Sequence, residues 1–500
     1  MKVLFVFPNN YLNVGIPTGL STLIAIMKQE GHEVRVFDYT FIKTNQIADD
    51  GFLVGRTAFL PTSYTLEDLV RNDPVESVED RFERDLEDFQ PDLIGLSAMT
   101  GTFDLGIELL NKFKSKLKCK VVVGGVHSTI APTDALAPDV VDYICIGEGE
   151  EFMIELCDCL SRDKDYRQIR NLGFKKQKGI QINELRPFVN LDELPTPDWS
   201  EFDRRHLFRP FMGKVYQGSF YTMSRGCPYK CSYCANGSLR KGLKGCGGRY
   251  YRYQQPATTV KQLSDLKKLH NATWFRFADE SLMSMTEEYI EELSAGLSPL
   301  GIRFGCSVRP ETTNERKLSL LKEAGCESMT MGVESGNEQL RRKVLNRSMS
   351  NEQIERATSI IKEHGIRLAT FNMIGLPEES RDNVFETILF NRKLNVGAAN
   401  VFIVYPFPGT EISIKYKTNF RGTNGKIIPI SQASYFNLSR MSPTETEGLL
   451  KTFNLYLLLS EELWPIIRYA EENNDAGKVI FDALIKFSER VVHDDLRKKQ

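Results

Sequence analysis

Two runs in which short apolar stretches alternate with amphipathic helical stretches constrain this chain more than any other feature. In the first, KVLFVF (2–7), EVRVFDY (33–39), DLIGLS (92–97), KVVVGG (120–125) and VDYICIG (141–147) read as strands. They are nearly continuous in apolar residues, as strands covered on both faces must be. TGLSTLIAIMKQEG (18–31) and FDLGIELLNKFKSKL (103–117) carry the apolar spacing of helices packed on such a sheet. The pattern predicts a doubly wound parallel sheet. The interval 40–90 is less regular, with Pro61, Pro74 and one predicted helix opened by Thr65-x-x-Asp68.

The second run begins at 219. SFYTMS (219–224), TWFRFA (273–278), IRFGCS (302–307), ESMTMGV (327–333), IRLATFNMI (366–374) and NVFIVY (400–405) are six candidate strands separated by helical segments. Ser284-x-x-Glu287 and Ser350-x-x-Gln353 read as helix caps. Six strand-helix units predict a partial barrel, whose working end is the C-terminal end of its strands.

The expected organisation is therefore α/β: a front sheet over 1–164, a linker over 165–210, a six-unit partial barrel over 211–420 and a helical region over 421–500. The linker is polar, rich in proline, and carries a possible hairpin at KKQKGIQIN. A chain of 500 residues is too long for one core. Lys and Arg number 64 against 66 Asp and Glu, a formal net charge of -2, which gives no reason to expect a nucleic-acid partner. No apolar run reaches the roughly 18 residues of a membrane span, and MKVLFVFPNN is too short for a signal peptide. The expected compartment is the cytoplasm, with the ten cysteines as thiols or metal ligands rather than disulfides.

Three of those cysteines stand together in RGCPYKCSYCANG: Cys227, Cys231 and Cys234, spaced C-x3-C-x2-C directly after the first barrel strand. Three thiolates can hold three irons of a four-iron four-sulfur cubane and leave the fourth open to substrate. A zinc site with Cys246 as fourth ligand is the competing reading, but zinc sites favour paired C-x2-C knuckles and only one pair exists here.

On this loop and its place in a partial barrel, the chain resembles the radical S-adenosylmethionine (SAM) superfamily. The resemblance implies that the open iron takes the amino and carboxylate groups of SAM, and the aromatic Tyr233 fits the same pattern. Where the family has a Gly-Gly-Glu-like motif, this sequence has Ala278-Asp279-Glu280, so Asp279 and Glu280 are candidates to accept from the methionine amine. Ser307 and Arg309 end the third strand, suited to ribose or carboxylate contacts. Glu334 and Ser335 end the fourth, with Lys343 and Arg347 downstream. FNMIGLPEE resembles the fifth-strand signature and would bring Asn372, Ile374 and Gly375 near the adenine.

In the front region, GLSAMTGTF, GGVHST and GEGEE place small residues at the strand ends, where a doubly wound sheet binds its ligand. No G-x-G-x-x-G follows the first strand, so a dinucleotide is not expected. Together with NLDELPTPDW, these phrases resemble the cobalamin-dependent branch of the radical SAM superfamily. The resemblance implies cobalamin between front domain and barrel mouth, with Ser97, Thr100, Gly124, Gly125, His127, Gly147 and Glu148 as candidate tail contacts. The histidine motif D-x-H-x-x-G is absent, so cobalt is expected without a histidine ligand, facing instead a residue near Met99 to Phe103.

The implied activity is methyl transfer to an unactivated carbon of a small molecule, through a 5'-deoxyadenosyl radical and methylcobalamin. An electron donor such as flavodoxin or ferredoxin is implied as partner. Ring formation or rearrangement within the same family is the alternative. A cobalamin or cluster sensor without turnover is the alternative of another class. The C-terminal helices are expected to cap the barrel.

Overall fold

The computed structural model describes residues 1–43, 66–211, 214–396 and 398–498. A seven-stranded sheet occupies the front: β1 (Lys2–Phe7), β2 (Glu33–Asp38), β3 (Leu93–Ser97), β4 (Lys120–Gly124), β5 (Tyr143–Cys145), β6 (Leu172–Lys175) and β7 (Ile180–Ile182). Its order is β2-β1-β3-β4-β5-β6-β7. The first five strands pair in parallel, and the last two are antiparallel. Val3, Leu4 and Val6 of β1 are fully buried, as a strand covered on both faces requires. The order changes direction between β1 and β3, which opens a crevice at their carboxyl ends.

The hairpin expected in the linker forms, and it is more than a linker feature. β6 pairs with β5 and so extends the front sheet. The cap expected at Thr65 lies outside the described residues; a short 3-10 turn covers Glu67–Leu69. A second small hairpin, β8 (Phe208–Phe211) with β9 (Lys214–Gln217), leads into the barrel.

The barrel sheet is β10 (Phe220–Tyr221), β13 (Trp274–Phe277), β14 (Arg303–Val308), β15 (Cys326–Glu334), β16 (Arg367–Ile374) and β17 (Ala399–Ile403), all parallel and in that spatial order. The predicted first strand is split. Only Phe220–Tyr221 joins the sheet, and Ser224–Arg225 (β11) pairs instead with Arg252–Tyr253 (β12). This break turns the chain off the sheet immediately before the three cysteines. The capping box at Ser350 and Gln353 is present. At the second helix the cap is Thr286, which accepts from Tyr289 N, rather than Ser284, which ends a 3-10 turn.

The C-terminal helices pack against the last two strands of the barrel, where a Cβ at Gly375 would stand 3.2 Å from Thr446. Pro443–Leu458 packs beside β17 and the helix Arg381–Leu394, closing a separate apolar cluster around Phe453, Tyr456 and Ile467. Among the described residues, no helix is long and apolar enough to cross a membrane.

Candidate active site

The carboxyl ends of the front strands face the start of the barrel across a cavity of about 500 Å³. Gly95, Ser97, Gly124, Gly125, Gly147 and Glu148 line the front wall. Ser224, Arg225, Gly226, Asn236, Tyr250 and Glu280 line the barrel wall. Gly125 sits at φ +102°, and a Cβ there would stand 2.7 Å from the carbonyl of Ala98, so the cradle depends on glycine. Of the front residues expected to meet a ligand, Ser97, Gly124, Gly125, Gly147 and Glu148 reach this cavity.

His127 and Thr100 do not line the cavity. His127 is fully buried, with Nε2 3.0 Å from Asp134 Oδ2 and Nδ1 3.3 Å from Thr100 Oγ1. Arg421, from the far end of the chain, donates to Asp134 at 2.7 Å. Both ring nitrogens are thus committed behind the cavity wall, and the histidine's work is to tie the front domain to the 420s loop. Met99 is exposed at the end of β3.

Glu148 is less available than its place in GEGEE suggests. Its Oε1 receives Arg225 Nη1 at 2.7 Å and Arg252 as well, and its Oε2 accepts from Val189 N at 2.9 Å. Arg225 also donates to Glu150, which is buried. Burial is the largest influence on Glu150 and would raise its pKa, but the charge and hydrogen bond of Arg225, a backbone N–H and the Arg252 charge together hold the carboxyl below its ordinary value. Arg225 stands two residues before Cys227. The front domain therefore grips the root of the cysteine loop through an ion pair between residues 77 apart in sequence. The sequence offered no local signal for this pairing.

Cys227 is buried, and Cys231 and Cys234 are half-buried, on the loop between β11 and the helix Ala235–Gly242. Gly226 starts the loop at φ +80°, where a Cβ would stand 2.3 Å from the carbonyl of Tyr250. Burial raises the thiol pKa of Cys227, and that of Cys234 to about 11. A cationic cluster would offset that burial by binding the thiolates. Among the described residues, no three His, Cys, Asp or Glu side chains converge on a single ion. A cubane does not require such convergence, since each cysteine binds its own iron. Cys246 lies apart from the three, beside Glu148, Arg186 and Phe188.

The barrel strand ends bring some of the expected residues to the cysteine loop and turn others away. Tyr233 donates to Glu334 Oε1 at 2.9 Å, and Arg347 pairs with the same carboxylate at 3.4 Å. Glu334 adopts φ +68°, an uncommon conformation for a residue with a Cβ and one found at constrained sites. Arg309 lies over the Tyr229 ring and donates to Cys231 Sγ at 3.3 Å. Ser307 accepts from Arg276 inside the barrel at 3.0 Å. Arg276 was not singled out in the sequence, because within TWFRFA it reads as one polar residue in an apolar strand.

Asp279 and Glu280 separate. Asp279 is buried and its Oδ1 accepts from the backbone of Met223 and Ser224 and from the Ser224 hydroxyl. Burial pushes its pKa up to about 7 despite these bonds. It holds the break between β10 and β11, while Glu280 alone reaches the cavity. Surrounding protein raises the Glu280 pKa by desolvation.

Asn372, Ser335 and Ile374 are also turned inward. Asn372 donates to Thr370 Oγ1 at 2.9 Å and accepts from Asn391 at 2.9 Å. Ser335 lies 3.4 Å from the Thr387 hydroxyl, and Ile374 is part of the C-terminal apolar cluster. Gly375 leaves the strand at φ +72°. Lys343 is exposed on the helix Glu338–Lys343.

Comparison with known proteins gives the same two-part division. The Radical SAM superfamily model matches residues 221–390, and the B12 binding domain model matches 62–156. The uncharacterized methyltransferase PH0819 of Pyrococcus horikoshii is 26% identical over 423 residues, covering 82% of each chain. The anaerobic magnesium-protoporphyrin IX monomethyl ester cyclase of Rubrivivax gelatinosus is 26% identical over 346 residues, 67% of this chain and 60% of the cyclase. The radical S-adenosylmethionine methyltransferase TsrM from Kitasatospora setae, solved with cobalamin and a [4Fe-4S] cluster, shares the fold. Its TM-score is 0.66 at 16% identity, over 98% of this chain and 99% of that one.

Proposed function

We propose that this chain, which belongs to the radical SAM superfamily and carries a B12-binding domain ahead of its barrel, methylates an unactivated carbon of a small molecule. The cluster, SAM and cobalamin, when bound, supply radical generation and methyl transfer that side chains cannot perform. The observation that carries the reading is the cavity joining the glycine-lined front strands to the root of the cysteine loop. The match to a methyltransferase over 82% of its length favours methyl transfer over ring closure, since the cyclase is matched over 60% of its own.

In this reading Cys227, Cys231 and Cys234 hold three irons. Glu280 accepts a hydrogen bond from the SAM amine. The slot formed by Ser97, Gly124, Gly125 and Gly147 admits the cobalamin tail, because it presents backbone where side chains would block it. Glu148 and Glu150 orient Arg225 and with it the cysteine loop. A one-electron donor of the flavodoxin or ferredoxin type supplies reducing equivalents.

The test is anaerobic reconstitution of the full chain. The expected result is about four irons and one cobalamin per chain, the cobalamin in a base-off state that His127→Ala leaves unchanged. Gly125→Val should abolish cobalamin binding and keep the iron. Alanine at the three cysteines should remove the iron, and Cys246→Ala should not. Stoichiometric zinc that depends on Cys246, or a cobalamin spectrum that depends on His127, would overturn the assignment.

A further inference from the structure

The three cysteines of the loop have unequal surroundings. Cys231 Sγ receives two guanidinium groups, Arg309 Nη1 at 3.3 Å and Arg347 Nη1 at 3.9 Å. Cys234 Sγ receives the neutral amide of Asn236 at 3.8 Å. For Cys227 the neighbouring donor is the backbone N–H of Tyr229.

Both arginines are fixed in place. Arg309 donates from Nε to Glu311 at 2.9 Å, and its plane lies 3.7 Å from the Tyr229 ring centroid. Arg347 is buried at 4% side-chain exposure, donates to the Gly332 carbonyl at 2.6 Å and to the Tyr233 hydroxyl at 3.3 Å, and pairs with Glu334. Neither is a solvated rim charge free to turn away. Each approaches the sulfur with a carboxylate at its back.

We propose that Arg309 and Arg347 set the reduction potential of the cluster through the sulfur of Cys231, with Glu311 and Glu334 as opposing weights. This rests on the cluster reading above. Reduction adds one electron from an external one-electron donor to the cluster, and no bond forms or breaks. The added negative charge spreads over irons and sulfurs. A cationic N–H on a ligand sulfur stabilises that state and raises the potential. A carboxylate behind the cation weakens the effect. Arginine and carboxylate must therefore act with opposite sign, which a purely structural role for these residues does not require.

The test is a redox titration of the reconstituted full chain without SAM, followed by the electron paramagnetic resonance signal of the reduced cluster. It compares wild type with Arg309→Gln, Arg347→Gln, Glu311→Gln and Glu334→Gln. At the potential where wild type is half reduced, the ratio of reduced to oxidised cluster should fall about tenfold in each arginine variant, about 59 mV for a one-electron couple. It should rise in each glutamate variant. Should the buried Arg347→Gln fail to fold, Arg309→Gln and Glu311→Gln carry the test, since Glu311 is 28% exposed and its pair lies nearer solvent. Shifts of the same sign in arginine and glutamate variants, or an unmoved ratio, would overturn the inference while leaving the site reading intact. A wild-type chain that assembles no cubane would overturn the site reading first.

Discussion

Along the front strand ends the cavity presents bare backbone at Gly95, Gly124, Gly125, Gly147 and Gly149. The opposite wall carries the charged side chains Arg225, Arg252 and Glu280, the arginines paired with Glu148 and Glu150 from the front loop. A wall of backbone excludes ligands by shape, and its failures come from added atoms. A wall of paired charges orients groups, and its failures come from lost partners. The two halves should therefore respond to opposite kinds of substitution.

The largest effect is expected at Gly226, on the barrel wall at the root of the cysteine loop. Alanine there combines a left-handed backbone with a Cβ 2.3 Å from the Tyr250 carbonyl, contacts that only a backbone shift can relieve. The cost should be about 4 kcal/mol, from backbone strain and overpacking together. Denaturant midpoints and iron content should both drop. A Gly226→Ala protein with wild-type stability and full iron would show that the loop is not pinned as described.

Next is Arg225→Gln, which adds no bulk and removes a partner. Glu150, at 7% side-chain exposure, would lose the cation that holds its carboxyl ionised. Stranding a buried charge of this kind costs about 3 kcal/mol, allowing for the 28% exposure of Arg225 itself. Adding Glu150→Gln to Arg225→Gln should recover part of the loss, and a thermal-melt double-mutant cycle measures it. No recovery would mean the pair does not couple the two walls.

What the sequence revealed divides along the same line. The glycine-rich strand ends and the C-x3-C-x2-C loop are local patterns, legible because the residues that act together are neighbours in the chain. Both sheets were legible for the same reason, apart from β6 and β7, which read as a linker hairpin, and the split first barrel strand, where one apolar run conceals a change of pairing partner at Thr222–Met223. The charged contacts were not legible. Arg309 meets a sulfur 78 residues away, and Arg421 meets Asp134 across 287. The sequence GGVH is compatible with a histidine at the cavity and with one buried against an aspartate, and only the positions of Asp134 and Thr100 show that His127 lies behind the cavity wall.

Glu280 and Asp279 sharpen the comparison within three residues of one strand. In the proposed site Glu280 would accept a charge-assisted bond from the SAM amine, worth about 1.5–3 kcal/mol, so in Glu280→Gln SAM binding should weaken by roughly ten- to a hundred-fold with iron unchanged. Asp279→Asn should bind SAM close to wild type. Calorimetric titration of both variants checks this, and equal losses would put Asp279 back in the SAM site.

The last effect is a slope with pH, the smallest when read over a single pH unit. The Asp279 pKa stands near 7 in the folded chain, above its ordinary value, because burial disfavours the charged carboxylate more than the Ser224 and Met223 donors favour it. Between about pH 4 and pH 7 the folded state therefore holds a proton that the unfolded state has released. A raised carboxyl pKa contributes stability that is present at low pH and is lost as pH rises through the folded value, by at most about 1.4 kcal/mol per pH unit. Asp279→Asn keeps an acceptor for the two backbone N–H groups and has no proton to lose. Its stability should exceed that of wild type above pH 7, and its profile between pH 5 and 7 should be flatter. Urea unfolding at a series of pH values in the two proteins isolates the difference, since every other titrating group is shared. A wild-type profile that runs parallel to the Asp279→Asn profile across this range would mean that Asp279 is ionised in the fold, and that the break between β10 and β11 is held by a carboxylate rather than by a neutral acid.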